Sequence, residues 1–325
     1  MSGAAVKALR RFSLRDIPLD DAGGLAVDRL GLVGSGDRPA WASCLTRATS
    51  PRAVAPACGG FLPVLLSRLG MTAEVGYVGV AGDEAAAAAR TLDAAGLDTV
   101  VDSPANLSDG AVDAAVAVGE PALLALARER PTSPILPVEA GAGVRSVPRG
   151  RLGDAATRLR AGDWTTESHP LVAVDDGTRE HVVFMDAMLA AAEPAHISEF
   201  TVRAGSERVA RFRADGVVAA TPAGTGGYAH AAGAPVVPPG PSVLVLVPVA
   251  PFATTLDHWV VPADAVTVTV EREEATVEVL ADDRTVGHAT VDAPVELAAD
   301  GDIDLIRVAE GRSPFDCRGA ELEKL

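Results

Sequence analysis

A chain of 325 residues, 48% of them hydrophobic and 22% charged, has the balance of a globular protein and room for two domains. Its 44 Asp and Glu against 28 Lys and Arg leave a net charge of −16, and lysine occurs only at Lys7 and Lys324. Such a surface repels nucleic-acid phosphates and anionic membranes, so neither is expected as a partner; a carboxylate-rich, lysine-poor surface suits concentrated salt, and a halophilic source is expected.

The charge changes along the chain. Residues 1–70 hold nine Lys and Arg, five Asp and no Glu, whereas the remainder has 19 basic against 39 acidic residues. The first stretch reads either as a poorly ordered basic extension or as misassigned upstream sequence before a true start at Met71. The second reading is preferred, because regular patterning begins there. Cys44, Cys58 and Cys317 form no C-x-x-C pair, and the six histidines have no ligand spacing, so neither a disulfide framework nor a metal site is expected from side chains alone. A reducing cytoplasm is the expected location. No apolar run reaches the roughly 20 residues that cross a bilayer, and "MSGAAVKALRRFSLRDIPLDD" lacks the apolar core of a secretory signal.

From Met71 the pattern alternates. "MTAEVGYVGVAGDEAAAAARTLDAAGLDTVVD" predicts a strand over Val75–Val80, a helix from near Asp83, a stop at Gly96 and a second strand. "AVDAAVAVGEPALLALARERP" predicts a buried strand over Ala114–Val118 and a helix through Arg128. "SPILPVEAG" supplies another strand, and "RGRLGDAATRLRAGDW" another helix. Strand and helix in alternation predict a Rossmann-like parallel α/β domain over residues 71–170, with ligands at the carboxyl ends of the strands.

From Leu171 helical periodicity gives way to short Val/Thr-rich runs. "HISEFTVRAG", "ERVARFR", "GVVAAT", "SVLVLVPVA", "AVTVTVER", "ATVEVLADDRTVG", "PVELA" and "DIDLIRV" read as strands with "ADD" and "ADG" turns, and "EREEATVE" as a solvated hairpin edge. A β-rich, sandwich-like domain is expected over 171–310. Residues 311–325 leave that pattern and are expected to return to the first domain.

One loop stands apart. "ADGVVAATPAGTGGYAHAAGAPVV" places five glycines and Tyr228 between apolar runs. Taken alone it is either a strand connection or a backbone cradle for a ligand. In its setting, after an Arg/Phe-rich strand and before "SVLVLVPVAPF", it resembles the TPxGSTAY-type loop of the NAD kinase family. "ILPVEAG" resembles the family's ILGVNxG strand, and the order of elements from Met71 to Leu325 is similar.

That resemblance implies transfer of phosphate from ATP or polyphosphate, with a divalent metal such as Mg2+, to the 2′-hydroxyl of NAD, in a homo-oligomer. Dinucleotide contacts would fall on Thr221, Ala223, Gly224, Gly226, Gly227 and Tyr228, with Asp215 upstream. The family's GGDGT run aligns with "VGEPALL", which keeps Gly119, puts Glu120 at the position of the base, and replaces a glycine by Pro121 and a threonine by Ala122. Its Asn-Glu pair falls on Met185 and Asp186. These departures leave a second reading open, a non-catalytic dinucleotide-binding or regulatory protein, and a weaker third, a kinase of another hydroxylated substrate. For Glu120 the plain alternative is a helix N-terminal acid, since Glu-Pro is a favourable helix start, and for Asp186 a solvated strand residue.

Overall fold

The computed structural model describes residues 75–315 except 109–111, 194–195 and 254–256. The basic stretch 1–70, the candidate start at Met71, all three cysteines and residues 316–325 lie outside the described residues.

The first strands and helices follow one another as the alternation predicts. β1 (Tyr77–Gly82) leads into α1 (Ala85–Ala94), then β2 (Asp98–Val101), the short α2 (Pro104–Leu107), β3 (Ala114–Val118), α3 (Glu120–Glu129), β4 (Ile135–Val138) and α4 (Leu152–Ala161). β3 and β4 are buried along their whole length, as strands covered on both faces should be. α1 turns Ala88, Ala89 and Leu92 inward and ends at Ala95, with Gly96 following at φ 85° as the sequence predicts. β1 begins two residues later than expected, at Tyr77 rather than Val75.

Twelve further strands complete the fold: β5 (Thr165–Asp175), β6 (Glu180–Val183), β7 (Asp186–Ala191), β8 (Ser198–Ala204), β9 (Glu207–Ala214), β10 (Gly216–Ala220), β11 (Val243–Val249), β12 (Trp259–Pro262), β13 (Val266–Arg272), β14 (Val277–Ala281), β15 (Arg284–Ala289) and β16 (Pro294–Arg307). A one-turn helix, α5 (Tyr228–Ala231), lies between β10 and β11. One ten-stranded sheet has the order β2-β1-β3-β4-β16-β13-β8-β9, with β5 pairing with β16 and β6. Its β2, β1, β3 and β4 run parallel. The other sheet, β12-β11-β10-β7-β14-β15, is antiparallel throughout.

β16 joins the two halves. Val295 and Leu297 pack in the core between the sheets, Leu305 in the core beside α3, and Ile306 in the core under α1 and α4. "PVELA" and "DIDLIRV" are therefore one strand, with a register shift between Ala299 and Asp302. "EREEATVE" is not a hairpin: β13 belongs to the first sheet and β14 to the second, so the chain crosses between sheets there. The expected division at residue 170 falls inside β5.

Candidate functional site

Four connections meet at one place: the β3–α3 turn, the loop after β4, the segment between β6 and β7, and the loop after β10. The β14–β15 turn closes it from the other side. Between them lies a cleft of ≈ 270 Å3, lined by Glu120, Met185, Asp186, Gly227, Tyr228 and Asp282 together with Ala142, Gly143, Met188, Ala223 and Gly224. A pocket where parallel strands end and connections diverge is where an α/β sheet binds ligands.

The first wall is the start of α3. Gly119 takes φ 90°, which a side chain rarely adopts, and its N–H donates to the Val138 carbonyl at 2.8 Å. Glu120 opens the helix, exposed and in its first turn, where an acid complements the dipole. Pro121 sits in that same turn, so the N–H it lacks is one the helix would leave unpaired anyway. Ala122 is buried and faces Gly82 so closely that a side chain on Gly82 would meet its methyl group. The small pair Gly82 and Ala122 therefore belongs to packing.

The second wall is the glycine loop. Thr221 is fully buried; its hydroxyl donates to the Phe184 carbonyl at 2.6 Å and its N–H to the Met185 carbonyl at 2.8 Å. A Cβ on Gly224 would overlap the Met185 carbonyl, one on Gly143 would overlap the Ala223 carbonyl, and one on Gly226 would meet Gly143 Cα at 2.7 Å. These glycines let three backbones stack. Gly227 alone of the three loop glycines is exposed, and a Cβ there would make only an ordinary 3.5 Å contact. Tyr228, half exposed at 49%, stands at the rim.

The floor is acidic. Asp186 begins β7, half-buried, and its carboxyl is pushed up to about 7 by burial first, then by the charges of Asp282 and Glu120. Asp282 takes φ 51° in the "ADD" turn. Its Oδ1 accepts from the N–H groups of Phe184 (3.2 Å), Met185 (2.7 Å) and Asp186 (3.2 Å), and its Oδ2 from Phe184 (3.0 Å). Burial raises the Asp282 carboxyl against the opposing pull of those three N–H groups and of Arg128. Among the described residues no Lys or Arg lines the cleft.

Of the residues the sequence singles out, Glu120, Asp186, Ala223, Gly224, Gly227 and Tyr228 line the cleft. Gly119, Thr221 and Gly226 lie directly behind it as backbone supports. Asp215 does not join them. It precedes β10, its carbonyl accepts from Ala191 and its N–H donates to Val249, whereas the cleft lies at the strand's other end, about 17 Å away at the rise of an extended strand. Asp282, Gly143 and Met188 are cleft residues that the sequence reading passes over.

The comparisons with known proteins agree with this architecture. Residues 185–304 match the family model of the ATP-NAD kinase C-terminal domain. An NAD kinase of Methanosarcina barkeri is 40% identical over 91 residues, 27% of this chain and 33% of that protein. The chain thus spans about a third of the length of that curated relative, and less of its Methanosarcina mazei counterpart, 46% identical over 26% of its length. Among solved structures, an Archaeoglobus fulgidus NAD kinase in complex with ATP is similar at a TM-score of 0.61 and 19% identity, over 77% of this chain and 99% of that one. Yeast NADH kinase complexed with NADH matches at a TM-score of 0.62 and 13% identity, over 77% and 88%. The resemblance read from the loop is borne out: residues 185–304 match the C-terminal domain of the NAD kinase family, and the chain has the fold of NAD kinases.

Proposed function

We propose that the chain is an NAD kinase, transferring a phosphoryl group from ATP or polyphosphate to the 2′-hydroxyl of NAD. The observation that carries this reading is the convergence on one cleft of Glu120, Asp186 and the Ala223–Tyr228 loop, which lie far from one another in sequence. Glu120, exposed at the helix start, accepts the proton of the ribose hydroxyl as it attacks the phosphorus. Asp186 accepts a hydrogen bond from the ribose when ionised and donates one when protonated, and Tyr228 offers a ring face to the base. The backbone of Gly227 lets the dinucleotide lie close.

The reading implies Mg2+. Among the described residues no group of three or more His, Cys, Asp or Glu is arranged to hold a metal. Mg2+ is commonly held by one or two carboxylates together with substrate phosphates. Glu120 and Asp186 supply oxygens of that kind, so they would hold a Mg2+ that enters with the phosphate donor and neutralises charge on it. With no Lys or Arg among the described residues of the cleft lining, that neutralisation matters more here.

The same missing cations, with Pro121 and Ala122 in place of donors, favour one other reading, a dinucleotide-binding protein without turnover. Incubating the full chain at high salt with NAD, Mg2+ and either donor, and assaying NADP, separates the two. We expect NADP formation that Glu120→Ala lowers by at least about a hundredfold, the scale of general-base catalysis. NAD binding with no turnover in the unmodified chain would instead establish the binding reading.

We further infer a cytoplasmic, halophilic setting and a homo-oligomer. The net charge of −16 supports the salt requirement. The edge strand β12, with Val260 exposed, supports self-association. Light scattering of the purified chain against salt concentration tests both.

A further inference from the structure

Three acidic side chains share the cleft, but they are held in different ways. Glu120 stands on a helix start in solvent, and Asp186 begins a strand with its carboxyl half-buried. Asp282 is seated: three successive N–H groups, from Phe184, Met185 and Asp186, point at one of its oxygens at 2.7–3.2 Å. Its own N–H donates to the Asp186 carbonyl at 2.9 Å, so the two residues are tied from both sides. The segment it grips is also held by Thr221, through the carbonyls of Phe184 and Met185. These ties fix the backbone of the segment between β6 and β7, at whose end Asp186 enters β7 opposite Ala220.

We infer that Asp282 is the positioning residue of the cleft: from the β14–β15 turn its carboxylate seats the Phe184–Asp186 segment and so fixes where Met185 and Asp186 stand in the cleft. The inference rests on the kinase reading only for its functional consequence. Among the described residues the groups facing Asp186 are Asp282 from the β14–β15 turn and Glu120 from α3, with Tyr228 at the rim and no Lys or Arg in the lining. Arg128 on α3 acts on Asp282, while its guanidinium pairs with the neighbouring Asp283 at 2.8 Å.

The residue can be dissected because one Asp282 oxygen receives all three N–H groups. Asn tolerates the left-handed backbone that Asp282 adopts, and its single carbonyl oxygen can keep that cradle while the charge is lost. Ala removes both charge and cradle. The experiment is amide-exchange NMR of the ligand-free full chain, wild type, Asp282→Asn and Asp282→Ala, with NAD binding measured on the same three proteins.

In Asp282→Asn we expect the Met185 and Asp186 amides to keep wild-type exchange protection and NAD binding to be retained, because the Asn carbonyl oxygen can hold the same three N–H groups. In Asp282→Ala the Met185 and Asp186 amides should lose more than about tenfold of their exchange protection, as a locally released segment does. Wild-type amide protection in Asp282→Ala, or a loss of protection in Asp282→Asn equal to that in Asp282→Ala, overturns the inference. Absence of NAD binding by the wild type would overturn the kinase reading instead, and the ligand-free measurements would still decide the role of Asp282.

Discussion

At the scale of single residues the cleft is organised by how each carboxylate is solvated. Asp186 has its folded-state pKa raised to about 7 from an ordinary 3.8, because burial and the charges of Asp282 and Glu120 penalise its ionised form. A carboxyl raised on folding binds more protons folded than unfolded between those two values. Its contribution is therefore most favourable below about pH 4 and is lost as pH rises to about 7, on the order of a few kcal/mol in all. Asp186→Asn removes that loss, so the variant should melt higher than wild type at pH 8 and close to it at pH 4, by calorimetry across that range. A difference that is the same at both pH values would mean that the Asp186 carboxyl is ionised in the folded protein throughout. Glu120 and Asp186 were legible from motif position alone, because each stands where the resembling family has an acid. Asp282 was not, since "ADD" between two strands carries the signature of any exposed hairpin turn, and only the fold brings three N–H groups of residues 184–186 to it. Asp215 misled for the opposite reason. It is close to the glycine loop in sequence, but a whole strand, β10, stands between them.

At the scale of elements the sequence announced what periodicity can announce. The α1, α3 and α4 helices and the buried β3 follow from spacing, and the Gly96 stop from its positive φ. Pairing was out of reach, because alternation marks a strand without naming its partner. The run around "EREEATVE" shows why: Val270 on β13 pairs with Phe200 of β8, whereas Val277 on β14 pairs with Ala191 of β7, so two adjoining strands serve different sheets. The glycine loop was recognised, but the work of its glycines was divided differently. Gly224 and Gly226 admit the backbones of Met185 and Gly143, and Gly227 is the one that is free toward the cleft. Gly224→Ala must therefore displace Met185 and should cost about 1–3 kcal/mol, typical of overpacking. Gly227→Ala meets no such neighbour and should keep wild-type stability in urea titration while weakening dinucleotide binding. If Gly224→Ala unfolds at the wild-type urea concentration, the stacked-backbone account of the loop is wrong.

At the scale of the whole molecule, β16 decides whether the two sheets behave as one body. It pairs with β13 at one end, with β5 along most of its length and with β4 beside Leu305, so it carries the ten-stranded sheet across from parallel to antiparallel strands. Its side chains enter three cores: Leu297 with Val266 and Val217, Leu305 with Leu123 and Phe184, and Ile306 with Leu92 and Leu159. The cleft lies between the elements these cores support, so its shape depends on both halves at once. Ile306→Ala removes buried methyl groups from the core under α1 and α4, at a cost of about 2–5 kcal/mol for a large-to-small change. Because the same strand continues into the antiparallel half, that cost should be shared: denaturation followed by far-UV circular dichroism and by tryptophan fluorescence should show one transition, moved to lower denaturant for both signals. Trp164 sits in the core under α1 and α4 and Trp259 against the core between the sheets, so the fluorescence samples both halves. If the variant splits into two transitions, with the antiparallel half unfolding where the wild type does, the strand joins the halves in geometry without coupling their stability. The cleft would then be a site between two independently stable bodies, and Ile306→Ala would weaken dinucleotide binding before any loss of the antiparallel sheet.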